Sequence, residues 1–221
     1  AFASVASMES SILSQNDLKS KLGENPQDTI DLSEAGQTWY IHSGIVDKSS
    51  PFYGDYIDDS SKGSNGGTSD TLAISLNSGF GTYPQSLCPY NEVKKGFSET
   101  LRYYSDYRLK DYSEISNNKD TLKSKIVSNG AVTVYYPSIT DCYSSDYANY
   151  YSDNTCIGIG DSHLIVVVGW DDNYSKDNFT GKVKPSNDGA WLCKNSWGEH
   201  YGNDGYIWIS YDTTNLAFSQ Y

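Results

Sequence analysis

Histidines and cysteines are the side chains best suited to proton transfer and nucleophilic attack near neutral pH, and this chain has three of the first and four of the second. His163 stands apart, because it leads into the run His163-Leu-Ile-Val-Val-Val-Gly-Trp170, which has the character of a buried strand. His42 falls near the end of a short predicted helix and His200 in a glycine-rich turn. A second stretch, Trp191-Leu-Cys-Lys-Asn-Ser-Trp-Gly-Glu-His-Tyr-Gly-Asn-Asp-Gly-Tyr206, reads as strand, turn and strand. Side chains alternate along a strand, so Trp191, Cys193 and Asn195 share a face, with Asn195 at the strand's end. Cys193 is therefore a candidate nucleophile by position, although its apolar setting suits a buried, inert thiol better.

The elements that must hold these groups are legible from patterning. Ala1 to Leu13 carries Phe2, Val5, Ala6, Met8, Ile12 and Leu13 at spacings of a mostly buried helix without an N-cap. Asp31 to Ile41 reads as a short helix capped by Ser33, and Thr68 to Gly79 as a capped helix ending in glycine. Lys119 to Gly130 is a further helix, with Leu122, Ile126 and Val127 expected inward, and it feeds a strand over Ala131 to Tyr136. Residues 48–67 and 83–90 are punctuated by Pro and Gly and read as loops. The Tyr-, Ser- and Asp-rich stretch from Pro137 to Gly160 is expected to decorate the surface. A Cys142–Cys156 bridge would close it, with reduced thiols the alternative.

Composition narrows the function classes. The 221 residues contain 37% hydrophobic and 14% aromatic residues, enough for one large domain or two lobes around a packed core. Sixteen basic against 28 acidic residues give a net charge of −12, which repels phosphate backbones and anionic membranes, so no nucleic acid partner is expected. No apolar run approaches the roughly 18 residues needed to span a bilayer, so no membrane insertion is expected, and Ala1-Phe-Ala-Ser-Val-Ala lacks the basic region of a signal peptide. The cysteines show no metal-ligand spacing. Asp171, Asn173, Ser175 and Asp177 alternate like a calcium loop but lack the glycine and final glutamate of an EF-hand, so a solvated acidic loop without metal is the reading.

Several of these stretches together resemble papain-like cysteine peptidases. Asn195-Ser-Trp-Gly198 followed by Gly202-Asn-Asp-Gly-Tyr206 looks like the family's C-terminal signature. His163-Leu-Ile-Val-Val-Val-Gly-Trp170 is similar to its His-Ala-Val-x-x-Val-Gly-Tyr strand, and Gly63-Ser-Asn-Gly-Gly67 to its Gly-Cys-Asn-Gly-Gly loop. Ala1, Phe2, Val5, Ala6 and Glu9 fall in register with the central helix that follows the family's Cys-Trp pair. The run Gly169-Trp-Asp-Asp-Asn-Tyr-Ser175 resembles bacterial members of secreted or cell-surface type, some of which carry lectin-like domains.

The resemblance implies an α+β, two-lobed fold over 1-221, a mainly helical lobe over about 1-115 and a mainly β, barrel-like lobe over about 116-221, with the active cleft between them. It implies His163 as catalytic base, Asn195 as its orienter and Trp197 as the shield of their hydrogen bond. Asn65, Gly66, Gly67, Thr68, Ser162 and Leu164 are the implied substrate-binding residues, with Ser69 beside them. The nucleophilic cysteine is implied two residues before Ala1, and Ser64 stands where many members carry a disulfide cysteine. A peptide or protein substrate, no cofactor, an extracellular or cell-surface location and a propeptide or additional domain upstream or downstream complete the expectation. The alternative is an inactive relative that holds a peptide or surface polymer without cleaving it.

Overall fold

The computed structural model describes residues 1–15, 30–56, 68–144, 146 and 148–221. They form two compact units, one of residues 1–112 with Tyr221 and one of residues 113–220. The first unit is helical: α1 spans Phe2–Ser14, α2 Glu34–His42 and α3 Ser69–Asn77. α1 starts on Ala1 without a side-chain cap, whereas Ser33 and Thr68 accept the Gly36 and Thr71 amides at the heads of α2 and α3. Val5, Met8 and Ile12 of α1 pack with Leu32, Ile41, Leu72 and Leu76, the i, i+3, i+7 spacing that gives a helix one apolar stripe. Phe2, counted among the buried positions from sequence, is 39% exposed, and Ala3, Ser4 and Ser7 are buried instead.

Arg102 knots the far side of this unit. Its side chain is buried, forks onto Glu99 and donates to the carbonyls of Tyr40 in the last turn of α2 and of Ser43 and Gly44 just beyond it. Its guanidinium lies 5.2 Å from the ring centre of Tyr40 and 5.1 Å from that of Phe80.

The second unit is a sheet backed by one helix, α4, Lys119–Asn129. The strands are β1 Ser113–Ile115, β2 Val132–Ile139, β3 Tyr143–Ser144, β4 Asn149–Tyr150, β5 Gly160–Asp171, β6 Ala190–Lys194, β7 Tyr206–Ser210 and β8 Ala217–Gln220. They are hydrogen-bonded in the order β1-β8-β2-β5-β6-β7-β4-β3, antiparallel except where β4 joins β7 in parallel. Val132, Val134, Ile165, Val167, Trp191, Cys193, Ile207 and Ile209 supply one core cluster. Within α4, Leu122 is buried but Val127, expected inward, is 75% exposed. At 3.6 residues per turn, position 127 sits about 140° around the helix from 122, off the stripe that includes 126.

The stretch from Pro137 to Gly160 is not surface decoration. β2 runs on to Ile139, β3 and β4 pair with each other, and Cys142, Tyr150 and Tyr151 are buried. Tyrosine can be buried there because each hydroxyl finds an acceptor, Tyr150 on the Pro137 carbonyl and Tyr151 on Asp153. Cys142 and Cys156 form a disulfide, while Cys88 and Cys193 are free and buried. Replacing both bridged cysteines by serine is expected to lower the stability of this unit by about 3 kcal/mol, the loop-closure entropy of a ring of this size. A thermal unfolding curve unchanged by the double substitution would show that the bridge constrains nothing. The loop after β5 is also anchored: Phe179 is buried against Tyr151 and Ala190, and Lys176 N–H donates to Asp188. Among the described residues, no helix is long and apolar enough to cross a membrane.

Candidate active site

His163 and Asn195 are brought together by the register of neighbouring strands. β5 and β6 pair Val166 with Lys194, so continuing that ladder carries Asn195 to the level of Ile165, two residues from His163 on the same face. Gly160, where β5 begins, lies against β2 so closely that a Cβ there would sit 2.3 Å from the Ser138 carbonyl oxygen. Beyond β6 the chain reverses through Gly202, at φ 63°, where a Cβ would meet the Tyr206 carbonyl at 2.4 Å. That reversal returns Gly205 to accept the Asn195 amide at 2.9 Å.

His163 Nε2 lies 2.9 Å from Asn195 Oδ1, and the same oxygen accepts the Ser196 amide at 2.7 Å. This second bond decides the chemistry of the first. An amide N–H can only donate, so the side-chain atom facing Ser196 must be the oxygen, and an oxygen that has no hydrogen can meet Nε2 only if Nε2 carries the proton. A neutral His163 is therefore the Nε2–H tautomer, and its lone pair is on Nδ1. Trp197 lies over the ring at 4.7 Å between centroids and 16° between planes, and Tyr201 meets Trp197 edge-on at 4.6 Å. Asn195 is 8% exposed and Trp197 46%, so the hydrogen bond is sheltered under a tryptophan with its outer face in solvent.

Burial lowers the His163 pKa below its usual value, opposed by the bond to Asn195. The folded unit thus binds fewer protons than the unfolded chain as pH falls below about 6.5. This contribution to stability is intact above that pH and is lost as pH falls from about 6.5 through the lowered folded pKa. His163→Gln should flatten the part of a stability-against-pH curve lying below about pH 6.5, and identical acid slopes in parent and variant would contradict the assignment.

The other expected residues lie elsewhere. Ser162 and Leu164 alternate with His163 and point to the opposite face of β5, where Ser162 Oγ lies 2.6 Å from the Tyr135 hydroxyl. Thr68 caps α3 and lines a cavity of about 240 Å³ in the helical unit with Ala1, Phe2, Thr38, His42 and Thr71. Ser69 bonds through its Oγ with Tyr112 and through its carbonyl with Tyr221. Asn65, Gly66 and Gly67, with Ser64, lie outside the described residues. Cys193 is fully buried and burial drives its thiol pKa far up, and Cys88 is pushed up to about 11, so neither is a ready thiolate. Two residues missed from sequence pack around the site: Tyr136, paired with His163 across β2 and β5, and Tyr143. Their only local signal was tyrosine in a stretch read partly as surface.

A helical unit, a mostly antiparallel sheet and a histidine tied to an asparagine under a tryptophan are the features that the resemblance to papain-like cysteine peptidases leads one to expect. The chain belongs to the papain family of cysteine proteases, whose family model, "Papain family cysteine protease", matches residues 1–219. Among solved structures, the clostridial cysteine protease Cwp84 after propeptide cleavage superposes with a TM-score of 0.76 at 28% identity, covering 99% of this chain and 50% of that one. The cysteine protease and lectin-like domains of Cwp84, a surface layer associated protein of Clostridium difficile, give a TM-score of 0.73 at 26% identity over 99% of this chain and 45% of the other. Among curated relatives, rat (Rattus norvegicus) procathepsin L is 29% identical over 165 residues, 72% of this chain and 45% of its own length. The chain thus spans half or less of the length of these relatives. The fold is papain-like and α+β.

Proposed function

We propose that this chain is the catalytic domain of a cysteine endopeptidase that hydrolyses peptide bonds in peptide or protein substrates. The observation that supports this most is that Asn195 Oδ1 accepts two hydrogen bonds, from the Ser196 amide and from His163 Nε2, which holds the Nε2–H tautomer and leaves the Nδ1 lone pair of His163 to take a thiol proton. In this reading the thiol belongs to a cysteine two residues ahead of Ala1, at the head of α1, where the helix macrodipole and a protonated His163 both favour the thiolate. An imidazolium there is stabilised by the thiolate and by Asn195, which offsets the desolvation acting on His163. The thiolate attacks the peptide carbonyl, and backbone donors hold the oxyanion. His163 then gives its Nδ1 proton to the leaving amine, and water, deprotonated by the same nitrogen, releases the acyl group as the free acid. Trp197 keeps water from the His163–Asn195 bond. Asn65, Gly66, Gly67 and Thr68 are the residues that would contact an extended peptide by strand addition.

Likeness to a surface layer associated protein and to propeptide-bearing proteases supports an extracellular or cell-surface setting, with a propeptide or further domain beside this one. The direct test is an epoxide-type thiol inhibitor incubated with protein that includes the residues encoded ahead of Ala1, followed by peptide mapping. One adduct on the cysteine two positions before Ala1 is expected, with Cys88 and Cys193 unmodified. Protein that takes no label, or has no cysteine there, would be a peptide-holding relative without peptidase activity.

A further inference from the structure

His163 has a second ring neighbour whose attachment is independent of the asparagine. β2 and β5 pair Tyr136 directly with His163, and their ring centroids are 5.8 Å apart with planes at 62°. The Tyr136 side chain is fully buried. Its hydroxyl bonds with the Tyr143 hydroxyl, which is also 3.1 Å from Ser138 Oγ. Tyr143 in turn meets Trp197 at 6.5 Å and Tyr201 at 6.4 Å. Tyr150 closes the group from behind, with its ring 4.9 Å from Tyr136 and 4.8 Å from Tyr143, and its hydroxyl donates to the Pro137 carbonyl. Burial raises the Tyr136 pKa, so the hydroxyl stays protonated and able to donate.

A single hydrogen bond to Asn195 fixes one atom of an imidazole but leaves the ring free to rock about that atom. Trp197 limits this from one direction, with its outer surface in solvent. We propose that Tyr136 is a positioning residue for His163: its buried ring limits the imidazole from a second direction, and its bond to Tyr143 ties that ring to the Trp197–Tyr201 layer. His163 then sits in an aromatic frame drawn from β2, from the stretch opening at Tyr143 and from the turn after β6. The frame acts on the site of the proposed peptidase, but its geometry is a property of the second unit by itself.

The test uses two substitutions and two readouts. Tyr136→Leu removes the ring edge and Tyr136→Phe only the hydroxyl. The first readout is the solvent-exchange rate of the His163 Nε2 proton, followed by proton–nitrogen NMR of the folded chain, which needs no enzymatic activity. Exchange is expected to be about tenfold faster or more in Tyr136→Leu, with Tyr136→Phe between it and the parent. The second readout is kinetic: kcat should fall about 10- to 100-fold in Tyr136→Leu with KM little changed, the cost of a misplaced catalytic group, and recover in large part in Tyr136→Phe. Faster exchange in a protein whose parent shows no peptidase activity would support the positioning role while removing the peptidase reading. Parent-like exchange in folded Tyr136→Leu would overturn the proposal. If Tyr136→Leu does not fold, parent-like exchange in Tyr136→Phe overturns it equally, because the hydroxyl tie would then hold nothing.

Discussion

Replacing His163 by alanine is expected to lower kcat/KM for thiol-dependent peptide hydrolysis by about 10²- to 10⁴-fold, the range that positioned acid–base catalysis contributes. The other histidines offer no substitute: His42 is buried in the helical unit, and the His200 side chain is almost fully exposed in a turn. The substitution is also mild for the fold. Asn195 Oδ1 keeps the Ser196 amide as a partner when the imidazole is gone, and the ring is only partly buried. Loss of activity in a protein with a parent-like unfolding curve would therefore report on chemistry and not on folding. The effect should fall on kcat, because the proposed mechanism uses His163 in the reaction steps and not in holding the peptide. Turnover retained within a few-fold of the parent would remove His163 from the mechanism.

The largest stability effect is expected at Arg102. Its guanidinium meets Glu99 at 2.5 and 2.9 Å and the carbonyls of Tyr40 and Gly44 at 3.0 Å. Ser43 adds its carbonyl at 3.1 Å. Methionine fills much of the same space but donates nothing, so the carbonyls at the end of α2 and just after it lose their donor and Glu99 its partner. Removing one member of a buried, hydrogen-bonded ion pair costs about 3–5 kcal/mol; Glu99 is 26% exposed and can be rehydrated, so the lower end is expected, on the order of 10 °C in Tm for a chain of this size. Lysine should not rescue it, because a single ammonium cannot reproduce the fork or lie flat against Tyr40 and Phe80. Differential scanning calorimetry of Arg102→Met and Arg102→Lys checks both points. A shift of under 2 °C in Arg102→Met would mean that the surrounding carbonyls find water instead.

The site could be read from sequence wherever its determinants are local. Alternation along residues 191–195 and the glycines at 198, 202 and 205 announce a strand that must turn, and the apolar run after His163 announces a buried one. That a histidine and an asparagine 32 positions apart should meet came from family resemblance, since periodicity carries no information about which strands pair. The same limit hid Tyr136, whose pairing with His163 is set by the register of β2 on β5. Composition misled in residues 137–160, where Tyr, Ser and Asp suggested exposure. A phenol is buried readily once its hydroxyl has a partner, and that partner is visible only in three dimensions. Arg102 was passed over for a related reason: a buried arginine is defined by its acceptors, and these come from residues about sixty positions away.

The sheet order carries a consequence for how the protein behaves at high concentration. Its two outermost strands, β1 and β3, are three and two residues long, while the long apolar strands β2 and β5 are enclosed by neighbours on both sides. Edge strands with free amides and carbonyls are the templates on which sheets recruit other sheets, and short edges offer little to recruit on. Together with a net charge of −12, this arrangement favours a protein that resists edge-to-edge aggregation, and it places the risk in any change that strips away β1, or β3 and β4 together, and bares the longer β8 or β7.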